Sequence, residues 1–501
     1  MERFIVQRAL TQEVLSYDLK GVDRGPLTRQ LSAVGSMTLT VGAAQATQLA
    51  DDDLPVFQEW GTIVTLDDDG QIRFRGIVTD LDYDGPDWKI TVSSMGTYPY
   101  GTPYDGDPYY GAEVDPADIV RKLWAHVQSF PDSDLSVSVV GTTPVRVGSF
   151  STQRRIEAVA YYNEKVADYN AENKELQRLR KVVAATRKDA AAARTSRSNA
   201  SKALTAAKKS LTAAKKTKNP QTIAAAQSQV NAAQATLNDR TAALNAINAR
   251  IKSQQSAVDA QSIVVKLRKE RKEKASDLKN EAQAAESADG GAYALEWWDA
   301  PDCGRIIDEL AKSTPFDWVE EHFWSGDTPM TRIRIVHPRV GRRLSNEGDP
   351  IFQQGVNISV QLQPQTSGDD FANTVFGVGA GEGAGSIRRL VSKRNGRLRR
   401  VATFQSKDVK SKQDMGTRLL AELAARQETL VVDQITVLNH PNSPRGSYSL
   451  GDDINVRGFV PHFGPFELWH RIVGISEKQD GTTDLDLKRS DSFTYGAGVE
   501  E

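Results

Sequence analysis

From Gln153 to Thr217, and again from Gln221 to Glu286, the chain contains neither Gly nor Pro, and Ala, Lys, Gln, Asn and Arg dominate. These residues are mostly compatible with helix. The only interruption is Lys218-Asn219-Pro220. Proline cannot continue a helix and biases the residue before it away from helical angles, so the chain is expected to reverse there. In the second arm Ile223, Val230, Leu237, Leu244, Ile251, Val258 and Val265 recur every seven residues, with Ala226, Ala233 and Ile247 three positions on. The first arm answers with Tyr162, Tyr169, Leu176, Val183, Ala190, Leu204 and Leu211 in one register. Leu179, Ala193, Ala200, Ala207 and Ala214 form the other, and Arg197 interrupts the pattern. The spacing predicts an antiparallel coiled-coil hairpin over 151–290 that turns at 218–220. Arms of this size make a rod on the order of 100 Å long at about 1.5 Å per residue. A single continuous helix or a disordered Ala/Lys-rich linker are the alternatives, and disorder has no reason to keep heptads. A rod is a spacer or a probe; it cannot shelter an active site.

The formal net charge of -2 conceals an asymmetry, because the rod holds 27 of the 63 Lys and Arg but only 14 of the 65 Asp and Glu. Between Asp189 and Asp239 there is no acidic residue, while Lys208, Lys209, Lys215, Lys216 and Lys218 approach and reach the turn. The far end of the rod is therefore cationic. It is read either as a solvated face that keeps an Ala-rich helix soluble or as an end facing an anionic surface or acidic partner. Cys303 is the only cysteine, so no disulfide forms within the chain and folding in a reducing compartment is natural. The N-terminus carries charge too early for a signal peptide, and no run of eighteen apolar residues occurs, so neither a cleaved signal nor a membrane span is expected.

Taken in order, residues 1–113 read as β structure, with strand patterns at Trp60 to Leu66, Ile72 to Val78 and Trp88 to Val92. Asp67 to Gly70 reads as a hairpin turn, since the spacing and downstream Glu of a calcium loop are missing. Tyr98 to Tyr110, with five Tyr among Gly, Pro and Asp, reads as a surface loop or as a contact surface for another subunit. Asp115-Pro116 caps a helix running to Phe130, and a strand from Leu135 to Val140 follows. After the rod the same order returns, with a helix around Arg305 to Lys312 and strands near Phe316 to Phe323 and Thr331 to His337. Residues 114–150 and 291–345 are therefore expected to form one small α/β domain with the rod inserted through it. In 346–501 a strand is expected at Val356 to Leu362, then a glycine loop from Gly377 to Gly385, a helix from Ser411 to Gln427 and further strands. An internal repeat links the two ends. Arg75-Gly-Ile-Val78 leads to Asp84-Gly85 and Lys89 to Val92, and Arg471-Ile-Val-Gly474 leads to Asp480-Gly481 and Asp484 to Leu487. Gly61 to Val64 and Gly451 to Ile454 precede them. The expected fold is a multidomain α+β chain: two related β-barrel-like domains and a small α/β domain interrupted by the coiled-coil hairpin.

No catalytic pattern stands out. The glycine loop, with Gly377, Gly379, Gly381, Gly383 and Gly385, lacks the Gly-Lys-Ser/Thr ending of a phosphate loop and reads as a contact loop or chain reversal that needs positive backbone angles. The six His form no metal spacing, and Glu320-Glu321-His322 lacks the second His of a zinc helix. No Gly-x-Ser-x-Gly elbow is present, and Cys303 reads as a structural thiol. No catalytic residue, metal or cofactor is assigned.

With those residues in place, the chain resembles the minor tail proteins that form the tail-tip hub of long, non-contractile-tailed bacteriophages. The resemblance rests on Trp60-Gly-Thr-Ile-Val, Phe74-Arg-Gly-Ile-Val, the glycine loop followed by Arg388-Arg389, Leu450 to Val456 and Trp469 to Ile475. It covers about 1–150 and 290–495 and is one of overall order. It implies a protein similar to the baseplate hub of contractile-tailed phages, in which two related barrels per chain assemble as a homotrimer into a pseudo-sixfold ring. Such a hub joins the sixfold tail tube to a threefold tip and gates the channel for the tape measure protein and DNA. The implied partners are the distal tail protein ring, the tape measure protein, other minor tail or receptor-binding proteins and, at the rod tip, the anionic host envelope. Stable nucleic-acid binding is not expected. The regions around Trp60, Phe74, Trp88 and Trp469 are the expected ring contacts. A tail-associated cell-wall hydrolase and a cellular coiled-coil scaffold or adhesin are the competing readings.

Overall fold

The computed structural model describes residues 2–314, 316–359, 365–366, 371–380, 386–406, 409, 412–427, 430–461 and 464–490. The chain divides into two compact units, residues 1–150 with 286–501, and residues 151–285.

The helical unit is built as the heptads dictate. One helix spans Ser151–Thr217 and the next Pro220–Asp289. Lys218 turns the chain with a φ of 54°. Asn219 then opens the second helix, its Oδ1 accepting from Gln221 N at 2.9 Å, and Pro220 occupies the first helical position where no N–H is needed. Every seam residue named above is buried or half-buried, whereas Arg197 points out. Leu176, Val183 and Val258 form the centre of the seam, with Leu179 and Val265 beside them. Polar pairs cross between the arms: Arg268 to Asp168 at 3.3 Å, Gln261 Nε2 donating to Glu172 Oε2 at 2.6 Å, and Lys272 and Lys279 over the rings of Tyr169 and Tyr162.

In the other unit, two three-stranded meanders realise the internal repeat. The first is Thr62–Asp68, Gln71–Asp84 and Asp87–Ser94; the second is Asp453–Val460, Gly464–Glu477 and Thr483–Arg489. In each, a middle strand of 14 residues pairs through its first half with the preceding strand and through its second half with the following one. Each also carries an irregularity near the handover, between Val78 and Asp80 and between Ile472 and Gly474. Such bulges bend a strand and increase its twist. The first turn is the hairpin expected at Asp67 to Gly70, with positive φ at Asp69 and Gly70.

The two meanders belong to one sheet, because Gly474 to Glu477 pair with Leu27 to Gln30 of the strand Val22–Gln30. The pairing runs as an open path from Phe352–Gln353 to Val14–Ser16, with Thr483–Arg489 and Gln434–Val437 branching from it. No pairing closes a barrel among the described residues. The edge that closure would use on the second meander is taken by Val22–Gln30, which precedes the first meander and reaches it through the strand Ser36–Gly42.

Strand alternation gives the first meander two buried faces. Val64, Leu66, Phe74 and Val78 face one core. Ile63 and Ile77 face another, which gathers the helices Pro116–Val127 and Cys303–Ser313 and residues of the strands Asp317–Ser325 and Thr328–Val336. Asp115 caps the first of these helices and Asp302 the second. The segments before and after the helical insertion thus share one core, and Ser149 N donates to Gly291 O at 2.8 Å. Within 346–501 buried residues gather in two clusters, one under the second meander and one between the helix Lys412–Gln427 and a small sheet.

Three further expectations change. The expected surface loop at Tyr98 to Tyr110 is partly core: Tyr104 is buried, Tyr100 Oη donates to Asp308, and Tyr109–Gly111 pairs with Tyr293–Leu295. The strand expected at Val356 to Leu362 is a turn through Asn357, and residues beyond 359 there lie outside the described set. Asn357 is buried and makes the turn, donating to Ile351 O and Ser443 Oγ and accepting from Gln353 N. The expected strand at Leu135 to Val140 is confined to Ser138–Val140.

Candidate functional site

The polar centre of the molecule lies where the meanders meet the strand Asp317–Ser325. Arg75 and Arg471, aligned in the sequence repeat but offset by two residues relative to the bulges of their strands, are both fully buried. Arg471 is well partnered: Nη2 donates to Asp317 and to Val340 O at 2.8 Å, and Nε donates to Gly451 O at 3.1 Å. Arg75 donates Nη2 to Gln12 Oε1 at 2.7 Å, but its Nε and Nη1 have no partner. Burial lowers the Arg75 pKa to about 10, against a raising effect from Glu320. One strand thus supplies a carboxylate toward each repeat, Asp317 to Arg471 and Glu320 toward Arg75.

Glu320 is held elsewhere. Its oxygens accept from Ser94 Oγ at 2.6 Å, Gly96 N at 2.9 Å and Met95 N at 3.0 Å. Gly96 is required by this close approach, since a Cβ there would stand 2.7 Å from Glu320 Oε1. Burial pushes the Glu320 carboxyl up to about 7 despite those donors and Arg75. Burial likewise drives His322 down to about 3, helped by Arg75 and Arg29. His322 Nδ1 shares a hydrogen with Thr331 Oγ1 at 3.0 Å. Both side chains keep a little accessible surface, which they owe to a cavity of about 160 Å³ lined by Arg29, Arg73, Phe74, Ser94, Glu320 and His322 among others. Beside it Glu477, from the second meander, accepts from Arg29 at 2.7 Å and Arg73 at 2.8 Å. Burial opposes its ionisation, yet these two guanidinium groups hold its pKa below the usual carboxylate value. Ser94 Oγ also accepts from Gly35 N at 3.0 Å, so the Glu320 group is a chain of bonds fixing the turn at Met95–Thr97. Chemically the arrangement welds repeats together through paired charge. Among the described residues no group of three or more His, Cys, Asp or Glu is placed to hold a metal ion, and no helix is long and apolar enough to cross a membrane.

The residues singled out by sequence fall in different places. Lys208, Lys209, Lys215, Lys216 and Lys218 are all exposed at the hairpin end, together with Arg194, Arg197 and Lys202. Trp60 is 53% exposed, with a φ of 59°. Phe74 is core, 1% exposed, and offers no contact surface. Trp88 is half-buried against the first core and 5.8 Å from the Tyr83 ring, and Trp469 lies under Arg343 at 4.2 Å. Gly377 belongs to the strand Thr374–Val378, and Gly379 follows it. Neither has positive φ; each is glycine because a Cβ would meet Met415 Sδ at 2.5 Å or Val409 O at 2.6 Å. Gly381, Gly383 and Gly385 lie outside the described residues. Cys303 is buried, and burial first, then Asp302 and Asp105, raises its thiol to about 12, which keeps it protonated.

Sequence reasoning missed two features. The spacing of Glu320 and His322 points only to metal ligation, whereas the hydrogen-bond partners of Glu320 lie more than 220 residues away and that of His322 is Thr331 on the neighbouring strand. The other was legible: from 383 to 407 there are eight Lys and Arg and no Asp or Glu.

Neither a protein-family model nor a curated protein sequence matches the chain. Solved structures of tail proteins are similar to it. A 43 kDa tail protein of prophage MuSo2 from Shewanella oneidensis matches at 12% identity and TM-score 0.46, and a tail protein from Neisseria meningitidis at 9% and 0.45. Each match covers 98% of both chains. An Escherichia coli component of the type VI secretion system, described as structurally similar to T4 bacteriophage tail proteins, matches at 7% identity and TM-score 0.38. That match covers 98% of this chain and 79% of the other.

Proposed function

We propose that this chain is a structural virion protein of a bacteriophage tail, acting as the tail-tip hub at the distal end. The observation that carries the reading is the duplicated meander: two like units, each with a 14-residue middle strand and a buried arginine, set in one continuous sheet. Three such chains present six like units around one axis, which matches a sixfold tube above to a threefold tip below. In the trimer each meander, completed by neighbouring strands, serves as the barrel-like unit lining the channel. The domains are 1–113, 114–150 with 291–345, the hairpin 151–290 and 346–501. The hub binds the distal tail protein ring, carries other minor tail or receptor-binding proteins, and opens for the tape measure protein and then DNA. The work is mechanical, and no catalytic residue takes part.

The test is the solution mass of the purified chain by light scattering, joined to antibody labelling of intact particles. The expected results are three times the 55.0 kDa chain mass and label at the tail tip. Particles lacking the chain would overturn the reading, and a dimer or tetramer would overturn the trimer.

A further inference from the structure

The small sheet formed by Thr374–Val378, Arg388–Ser392 and Val401–Gln405 is covered on one side only. Val375 packs against Met415, Leu419 and Leu423 of the helix Lys412–Gln427. On the opposite face the register sets Leu390 beside Phe376 and Val401 beside Thr374. Leu390 is 50% exposed, Val401 48% and Leu398, in the connecting loop, 89%. Between 388 and 400 the chain carries six Arg and one Lys, all exposed. An apolar centre ringed by guanidinium groups is the composition of a protein interface, where Arg is enriched and Lys depleted.

The complementary surface is on the same molecule. From 30 to 72 there is no Lys or Arg but seven Asp and Glu. Within it the loop around 48–60 exposes Leu49, Leu54 and Trp60 beside the exposed Asp51, Asp53 and Glu59. The loop is held in shape by Ala50 N donating to Leu54 O and Val56 N to Gln48 O, both at 2.9 Å, and by Asp52 paired with Arg8. Among the described residues no ion pair joins this loop to the basic sheet within one chain. We propose that the acidic loop of one copy docks on the basic sheet of the next. The inference rests on the multi-copy reading above and names the contact that assembly uses. Because the two surfaces differ, the contact is head-to-tail, the kind that closes into rings. Nucleic acid is the weaker occupant, since exposed Leu398, Leu390 and Val401 have no role on a phosphate backbone.

The test is sedimentation velocity over a concentration series with two sets of charge reversals. One set is Arg394→Glu, Arg397→Glu and Arg399→Glu; the other is Asp51→Arg, Asp53→Arg and Glu59→Arg. Each set alone is expected to weaken self-association at least about tenfold, and the chain carrying both sets to regain it. Circular dichroism melts check folding, and a set that unfolds is replaced by Gln and Asn substitutions read in the same way. A trimer untouched by either set overturns this contact and leaves the hub reading standing. A wild type monomeric up to about 100 µM overturns this contact as one that holds copies together in solution, while label at the tail tip still decides the hub reading. Binding of a DNA duplex that the basic-set reversals abolish, with self-association unchanged, also overturns it.

Discussion

Arg75 and Arg471 align in the sequence repeat but stand two residues apart relative to the bulge of each middle strand, and only Arg471 has its counter-ion in hydrogen-bonded contact. Removing one partner of a buried pair strands the other charge, so Arg471→Met should cost about 3–5 kcal/mol by leaving Asp317 unpaired. Arg75→Met removes a buried guanidinium with two idle donors and should change stability by less than about 1 kcal/mol or raise it. Urea denaturation of both variants decides, and equal losses would refute the asymmetry. The pair Glu320 and His322 sets a pH dependence. A carboxyl raised to about 7 stabilises the fold below its ordinary value near 4.5 and loses that contribution as pH rises through 7. An imidazole lowered to about 3 stabilises above its ordinary value near 6.5 and loses that contribution as pH falls toward 3. Between 4.5 and 6.5 the two slopes oppose each other. His322→Gln should therefore gain stability over the wild type, by about 1–3 kcal/mol, as pH is lowered from 7 to 4.5. The repeat made both arginines visible in the sequence. Glu320 was not, because its Ser94 partner lies 226 residues away and no local pattern announces such a contact.

At the scale of elements, the hairpin was legible almost residue by residue, since heptad spacing and a lone Pro act locally. Its seam predicts its own sensitivities. Leu176→Ala or Leu244→Ala should cost the helical unit about 2–4 kcal/mol, measured by thermal melting. Ala200→Leu should also destabilise, because the small residue is buried in the seam and a larger side chain overpacks it. Sheet closure was not legible. Alternation shows which side of a strand is buried, but whether a middle strand curls back on its own meander depends on its edge. Here Val22–Gln30 claims that edge from more than 400 residues away in sequence. The glycines at 377 and 379 teach the same limit, since composition pointed to backbone freedom while the helix above Gly377 and the Val409 carbonyl beside Gly379 demanded empty space.

For the whole molecule the informative quantity is where charge of one sign runs unbroken. Such runs include an acidic one over 30–72, a basic one over 190–238 and a basic one over 383–407. Only the second was recognised from the sequence, because the rod drew attention to it. Replacing Lys208, Lys209, Lys215, Lys216 and Lys218 by Gln should reduce adsorption of particles to cells several-fold and flatten its dependence on salt; unchanged adsorption would remove the hairpin end from host contact. A last property follows from the seam. Both arms repeat every seven residues and meet at a separate short turn, so one heptad can be deleted from each arm at facing positions without disturbing the packing of what remains. Each deletion shortens the hairpin by about 10 Å. Hairpin length is therefore a quantity that can be stepped like the notches of a ratchet, one heptad at a time, without redesigning anything else.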